Sequence, residues 1–232
     1  KMEKIYVQSY KPSFAYSIVC LDNKGKIWTW GYNFEGQLGN GTTMYGTTPV
    51  CITDIANTEF NIAYFNNNAR VEDIKFLEDI QPDLTSTNLQ VSIVILDSNG
   101  KIWTWGGNFY GQLATGDKEN VNSPICVSDL STEIVNNGET FKITKIEITP
   151  SVLVALGNDG KVYTAGSVLS SKNILGKTVE ELTLSSLDSV SGIKDFKLND
   201  TSNSSYYTVV AYGNDTVWTW GDYTFTNEIP QN

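Results

Sequence analysis

Apolar residues along this chain alternate with polar ones or run in short blocks, and Asn, Asp and Gly break the blocks at short intervals. No stretch sustains a 3.6-residue apolar period, so the pattern predicts strands. Two such blocks, at 17–21 and 26–30, flank Asp22, Asn23, Lys24 and Gly25. A glycine near the end of so short a connection supplies a positive φ, which predicts a hairpin. A further strand is predicted ahead of each hairpin, at 4–8, 72–77, 144–148 and 194–198, and another after the first two hairpins, at 47–52 and 122–127. Trp28 and Trp30 fall on one strand face and Ile27 on the other. Apolar residues on both faces imply sheets covered on both sides.

The hairpin recurs. Residues 18–38 (IVCLDNKGKIWTWGYNFEGQL) and 93–113 (IVILDSNGKIWTWGGNFYGQL) agree at 16 of 21 positions. A weaker third copy, LVALGNDGKVYTAG, occupies 153–166, and a fourth, VVAYGNDTVWTWG at 209–221, is one residue shorter in its turn. The glycines closing each hairpin, Gly31, Gly106, Gly166 and Gly221, lie 75, 60 and 55 residues apart. That spacing exceeds a solenoid repeat and suits one small sheet per repeat. The expected fold is all-β, a β-propeller-like array of about four four-stranded blades in a single domain, with units near 3–56, 71–130, 141–190 and 193–232. The Asn-rich stretches 63–70 and 198–207 are expected as solvated connections, and two insertions, 57–70 and 78–90, expected as long loops, account for the long first spacing. A terminal blade without a neighbour would expose an apolar face, so the expected states are a closed small ring, a homo-oligomer, or an arc of a larger propeller.

From Leu21 to Thr43 the chain reads L-D-x-x-G-K-I-W-T-W-G-Y-N-x-x-G-Q-L-G-N-G-T-T, closing at Pro49. This resembles the regulator of chromosome condensation repeat, with its bacterial members especially close. The resemblance is strong in the first two copies and covers only the central hairpin in the last two. The third copy has Ala165 in place of the second tryptophan and no G-Q-L-G loop, and the fourth continues past Gly221 as DYTFTNEIPQN. Family members generally form seven-bladed propellers, more than the four units here. Within the repeat, Gly31 and Gly36 are expected to permit tight backbone geometry, Asn33 and Gln37 to hydrogen-bond loop backbone, and Leu38 and the tryptophans to fill the core. A light-sensing tryptophan cluster, as in the ultraviolet receptors of the family, would need arginine-rich surroundings. Arg70 is the single arginine of the chain, which excludes that reading.

Composition narrows the chemistry. The 232 residues include 26 acidic and 16 basic side chains, no histidine and three cysteines, for a formal charge of −10. Without histidine, Ser-His-Asp and Cys-His catalysis and histidine metal sites are excluded. Cys51 and Cys126 each lie 20 residues past a hairpin glycine, in equivalent places of successive blades. Packed sheets stand roughly 10 Å apart, beyond the ~7 Å a disulfide spans, so the two are expected unbonded. Cys20 stands where the second copy has Ile95 and reads as a buried apolar substitute. Asp22 and Asp97 repeat in the same turn, where Asp satisfies backbone donors, and the third copy has Gly157 there. Calcium loops and phosphate-binding loops are absent. The chain is therefore expected to be no enzyme and to need no cofactor or metal. Its acidity disfavours nucleic acid, and no apolar run approaches the ~20 residues of a membrane-spanning helix. Nothing assigns a compartment.

What remains is surface. Tyr64 and Phe65, adjacent aromatics in the polar first insertion, are candidate anchors for a protein partner. Tyr32, Phe34, Phe109, Tyr110, Tyr223 and Phe225 form a second candidate set, although the equivalence of Phe34 and Phe109 favours repeat packing. The expected function is a non-catalytic protein–protein interaction module presenting loops on rigid blades, as the resemblance implies for secreted β-lactamase-inhibitory members. The alternatives are a guanine-nucleotide exchange factor for a small GTPase, the activity of the family's namesake, and a structural repeat of a larger surface protein.

Overall fold

The computed structural model describes residues 1–10, 15–66, 69–78, 91–128, 138–149, 151–166, 181–186, 191–200, 207–214 and 216–221. Their strands form four antiparallel sheets, each a meander in which neighbours in sequence are hydrogen-bonded. The first sheet holds β1 (Met2–Tyr10), β2 (Ala15–Asp22), β3 (Ile27–Gly31) and β4 (Gly46–Cys51); the second holds β5 (Val71–Glu78), β6 (Val91–Asp97), β7 (Ile102–Gly106) and β8 (Val121–Cys126). The third is β9 (Ile143–Ile148), β10 (Val152–Gly157), β11 (Val162–Gly166) and β12 (Glu181–Ser186), the last a strand that the four-stranded repeat called for but the sequence pattern did not locate. The fourth shows three strands among the described residues, β13 (Asp195–Asp200), β14 (Tyr207–Tyr212) and β15 (Val217–Gly221).

The hairpin motif has a geometric cause. Gly31, Gly106 and Gly166 take φ of 110°, 98° and 119° at a register slip in their sheets. A Cβ there would sit 1.9–2.1 Å from the carbonyl oxygen of Tyr16, Val91 or Ser151, so only glycine fits. Asp22 closes the first turn: its Oδ1 accepts from the Lys24 and Lys26 backbone N–H groups at 2.8 and 2.9 Å, and its Oδ2 accepts from Trp28 Nε1 at 3.0 Å. Asp97 repeats this with Asn99, Lys101 and Trp103. In the third copy the carboxylate moves two residues on. Asp159 accepts from the Lys161 N–H at 3.0 Å and from the Tyr163 hydroxyl at 2.8 Å, in space that Gly157 leaves open.

Three apolar cores lie between successive sheets, and one rule describes them. The face carrying Val19, Leu21 and Ile27 packs on the face of the next sheet carrying Ile93, Ile95, Trp103 and Trp105. Val94, Leu96 and Ile102 likewise meet Leu153, Ala155, Tyr163 and Ala165, and Val154, Leu156 and Val162 meet Val209, Ala211 and Trp218. Ion pairs stitch the junctions: Lys75 reaches Asp73 on its own strand and Glu147 on the next sheet, both at 3.2 Å, and Lys145 pairs with Asp195.

Two expectations change. The insertion at 57–70 contains a helix, α1 (Glu59–Asn66), where a long loop was expected. Thr58 caps it by accepting from the Asn61 N–H at 3.0 Å, and Phe60 is fully buried with its ring 5.1 Å from that of Trp103 and 6.3 Å from that of Trp105. A tertiary aromatic contact thus holds a helix that its own apolar pattern does not announce. The closed four-bladed ring is also set aside. Among the described residues no core joins the fourth sheet to the first, and the array is an open propeller-like arc.

Candidate interaction surface

The loop between β3 and β4 is braced by hydrogen bonds from its own polar side chains. Asn33 is buried; its Nδ2 donates to the Thr42 and Met44 carbonyls at 2.9 and 3.0 Å, and its Oδ1 accepts from the Leu38 N–H at 2.8 Å. Gln37 Oε1 accepts from the Glu35 N–H at 2.9 Å, and Thr29 Oγ1 donates to the Leu38 carbonyl. In the second unit Asn108, Gln112 and Thr104 do the same work. The loop also clasps the following blade. Trp105 Nε1 donates to the Gln37 carbonyl at 3.0 Å, the Val91 N–H donates to Glu35 Oε2 at 2.9 Å, and the Gly41 N–H donates to the Asn122 carbonyl at 2.8 Å.

Against this framework the aromatic candidates separate. Tyr32 and Phe34 stand together with centroids 4.9 Å apart, and Phe109 and Tyr110 pair edge-on at 4.9 Å. Phe34 is nonetheless 68% exposed and Phe109 is exposed too, so the equivalent pair is not the packing element that the repeat suggested. Tyr64 and Phe65 belong to α1 and not to a loop; their side chains lie outside the described residues. Tyr223 and Phe225 also lie outside the described residues. The structure adds two residues that the candidate set missed. Met44 is 73% exposed, and the adjacent Tyr45 is exposed as well, in the same loop as Phe34. Their signal in the sequence was a departure from the repeat, since the second unit has Glu119 and Asn120 at these places.

The same framework leaves little for chemistry. Among the described residues no group of three or more cysteine or acidic side chains could hold a metal. Burial pushes the Asp22 carboxyl up, but its hydrogen bonds to the Lys26 N–H, the Trp28 indole and the Lys24 N–H outweigh that and hold it below the usual carboxylate range. No disulfide joins the three cysteines, and burial raises the thiols of Cys20 and Cys51, away from the reactive thiolate.

The sequence model of the Regulator of chromosome condensation (RCC1) repeat matches residues 24–65, from the first hairpin turn through β4 into α1, and 99–148, from the second hairpin turn through β9. Residues 24–65 and 99–148 thus carry the regulator of chromosome condensation repeat, and the chain is similar to proteins of that repeat family. Human E3 ubiquitin-protein ligase HERC2 is 22% identical over 199 residues, which are 85% of this chain and 3% of that protein. The Protein RCC2 homolog of Xenopus laevis is 26% identical over 62% of this chain and 22% of its own length. Among solved structures, human WBSCR16 superposes with a TM-score of 0.58 at 17% identity, covering 95% of this chain and 48% of the other. Yeast RCC1 (Prp20), solved bound to Kap60, gives 0.54 at 18% identity, with 95% and 45% covered. The RCC1-repeat chain thus spans about half of these solved propellers and under a quarter of these curated relatives.

Proposed function

We propose that this RCC1-repeat chain is a non-catalytic protein–protein interaction module. The observation that carries the reading is the exposure of Phe34, Met44 and Tyr45 on one loop, which Asn33 ties to its own backbone. Large apolar side chains held rigidly in solvent lose little conformational entropy on binding and make natural anchors for a protein partner. Met44 and Tyr45 serve partner choice, because they break the repeat and do not pack within it. The second reading, nucleotide exchange on a small GTPase, is what the resemblance to the family's namesake implies.

The test immobilises the chain and compares it with the triple variant Phe34→Ala, Met44→Ala, Tyr45→Ala in capture from host lysate, with excess GDP and magnesium or with EDTA. The expected result is a partner held under both conditions and weakened about tenfold or more by the triple variant. Equal capture by the two proteins would remove these residues from the interface. A small GTPase held only after EDTA would move the assignment to nucleotide exchange.

A further inference from the structure

The two strong units are near copies, and they differ at one buried amide. Gln37 and Gln112 occupy the same place in the loop that follows the hairpin, and both are fully buried. Each fixes its amide in the same way. Gln37 Oε1 accepts from the Glu35 N–H and Gln112 Oε1 from the Tyr110 N–H, both at 2.9 Å. Turning either amide over would set its NH2 group against a backbone N–H, so both nitrogens must find acceptors on the other side. Gln112 Nε2 does so, donating to Ser92 Oγ at 3.0 Å and to the Gly107 carbonyl at 3.1 Å. The first blade carries the same pair of acceptors in Ser17 and Tyr32. Ser17 is 3% exposed, and its hydroxyl donates to the Tyr32 carbonyl at 2.8 Å, as that of Ser92 donates to Gly107 at 2.7 Å. Gln37 Nε2 nevertheless bonds to neither of them, nor to any other acceptor among the described residues.

We infer that a water molecule is bound at the root of this loop, accepting from Gln37 Nε2 and donating to Ser17 Oγ and the Tyr32 carbonyl. A buried N–H without an acceptor is costly, and in native proteins such groups are met by protein or by ordered water, which typically makes about three hydrogen bonds. The three groups here supply that number. The second blade shows that a hydroxyl and a carbonyl bonded to one another still accept a further donor. The amide donor disfavours a cation at this place, and the carbonyl disfavours an anion. Both side chains are sealed from solvent, which suits a ligand of the smallest size. The same loop root is thus closed by direct bonds in the second blade and through a solvent molecule in the first. This inference stands apart from the reading of Phe34, Met44 and Tyr45.

A crystal structure that resolves ordered water tests it, with nuclear magnetic resonance as the measurement in solution. The expected result is one water within about 3.2 Å of Gln37 Nε2 and of Ser17 Oγ or the Tyr32 carbonyl. In solution the Gln37 side-chain amide protons should cross-relax with a long-lived water. They should keep that signal in Ser17→Ala, where no hydroxyl proton can relay it. A Gln37 amide bonded directly to Ser17 or Tyr32, as in the second blade, would overturn the inference. So would an amide with no water beside it, or a water signal that disappears in Ser17→Ala.

Discussion

Trp28 and Trp30 of the first sheet occupy the same strand positions as Trp103 and Trp105 of the second, within hairpins of nearly the same sequence. The second pair is at most 3% exposed, while the first pair is half-buried. The second pair meets the Val19 face, the loop carrying Gln37 and the ring of Phe60; among the described residues no apolar core of another sheet takes in the first pair. Even the loops differ in satisfaction. Gln112 Nε2 donates to Ser92 Oγ and the Gly107 carbonyl, while Gln37 Nε2 is buried without a partner among the described residues. The repeat encodes the blade, but burial belongs to the junction, and only a junction turns an indole into core.

The comparison breaks most directly at the tryptophans. Trp105→Ala should cost about 3–5 kcal/mol in urea unfolding and Trp30→Ala about 2 kcal/mol less, since less contact is lost at a half-open site. Equal losses would show that blade identity, not junction, sets the energy.

A smaller effect sharpens the point. Gly39 has φ of 63°, and a Cβ there would lie 2.8 Å from Trp105 Nε1. The corresponding residue in the second blade is Ala114, also at positive φ (61°), and the next blade there offers Ala165 where the second offers Trp105. Gly39→Ala should therefore cost about 1–3 kcal/mol, and much less in a Trp105→Ala background, with a coupling of about 1 kcal/mol in the double-mutant cycle. Ala114→Gly should change stability by no more than about 1 kcal/mol. An additive cycle would dissolve the pairing of residue sizes across junctions.

The hairpins, their closing glycines and the turn aspartates were legible in the sequence because each answers a backbone demand that few residues meet. Helix α1 was not, since EFNIAYFN holds its place through the Thr58 cap and the seat of Phe60 under two indoles, both contacts made outside the helix. The exposed loop was half legible. Phe34 could be named, but its exposure depends on how fully Asn33 and Gln37 tie the loop inward, and Met44 and Tyr45 show only as a departure from the second copy.

The smallest expected effect is in acid. The bond from Lys145 holds the Asp195 carboxyl below its ordinary range, against the opposing pull of desolvation, and the hydrogen bonds to Asp22 lower that carboxyl too. A folded pKa below the unfolded one contributes stability above about pH 4, lost as pH falls through the folded value. Asp195→Asn should thus flatten the stability profile below about pH 4 by less than 1 kcal/mol, because the pair is partly exposed. An unchanged acid profile would leave the third junction to apolar contact alone.

Gly39 facing Trp105 and Ala114 facing Ala165 also constrain how one kind of junction can be converted into the other. Of the two single steps away from glycine and tryptophan, adding the methyl first drives it into the indole, whereas trimming the indole first leaves a void that the methyl can then partly fill. The passable route runs through a pair of small residues, loosened but not clashing. Repeats of this kind can drift apart in one order of substitution and not in the other, and a chain holding both versions side by side records the two endpoints of that path.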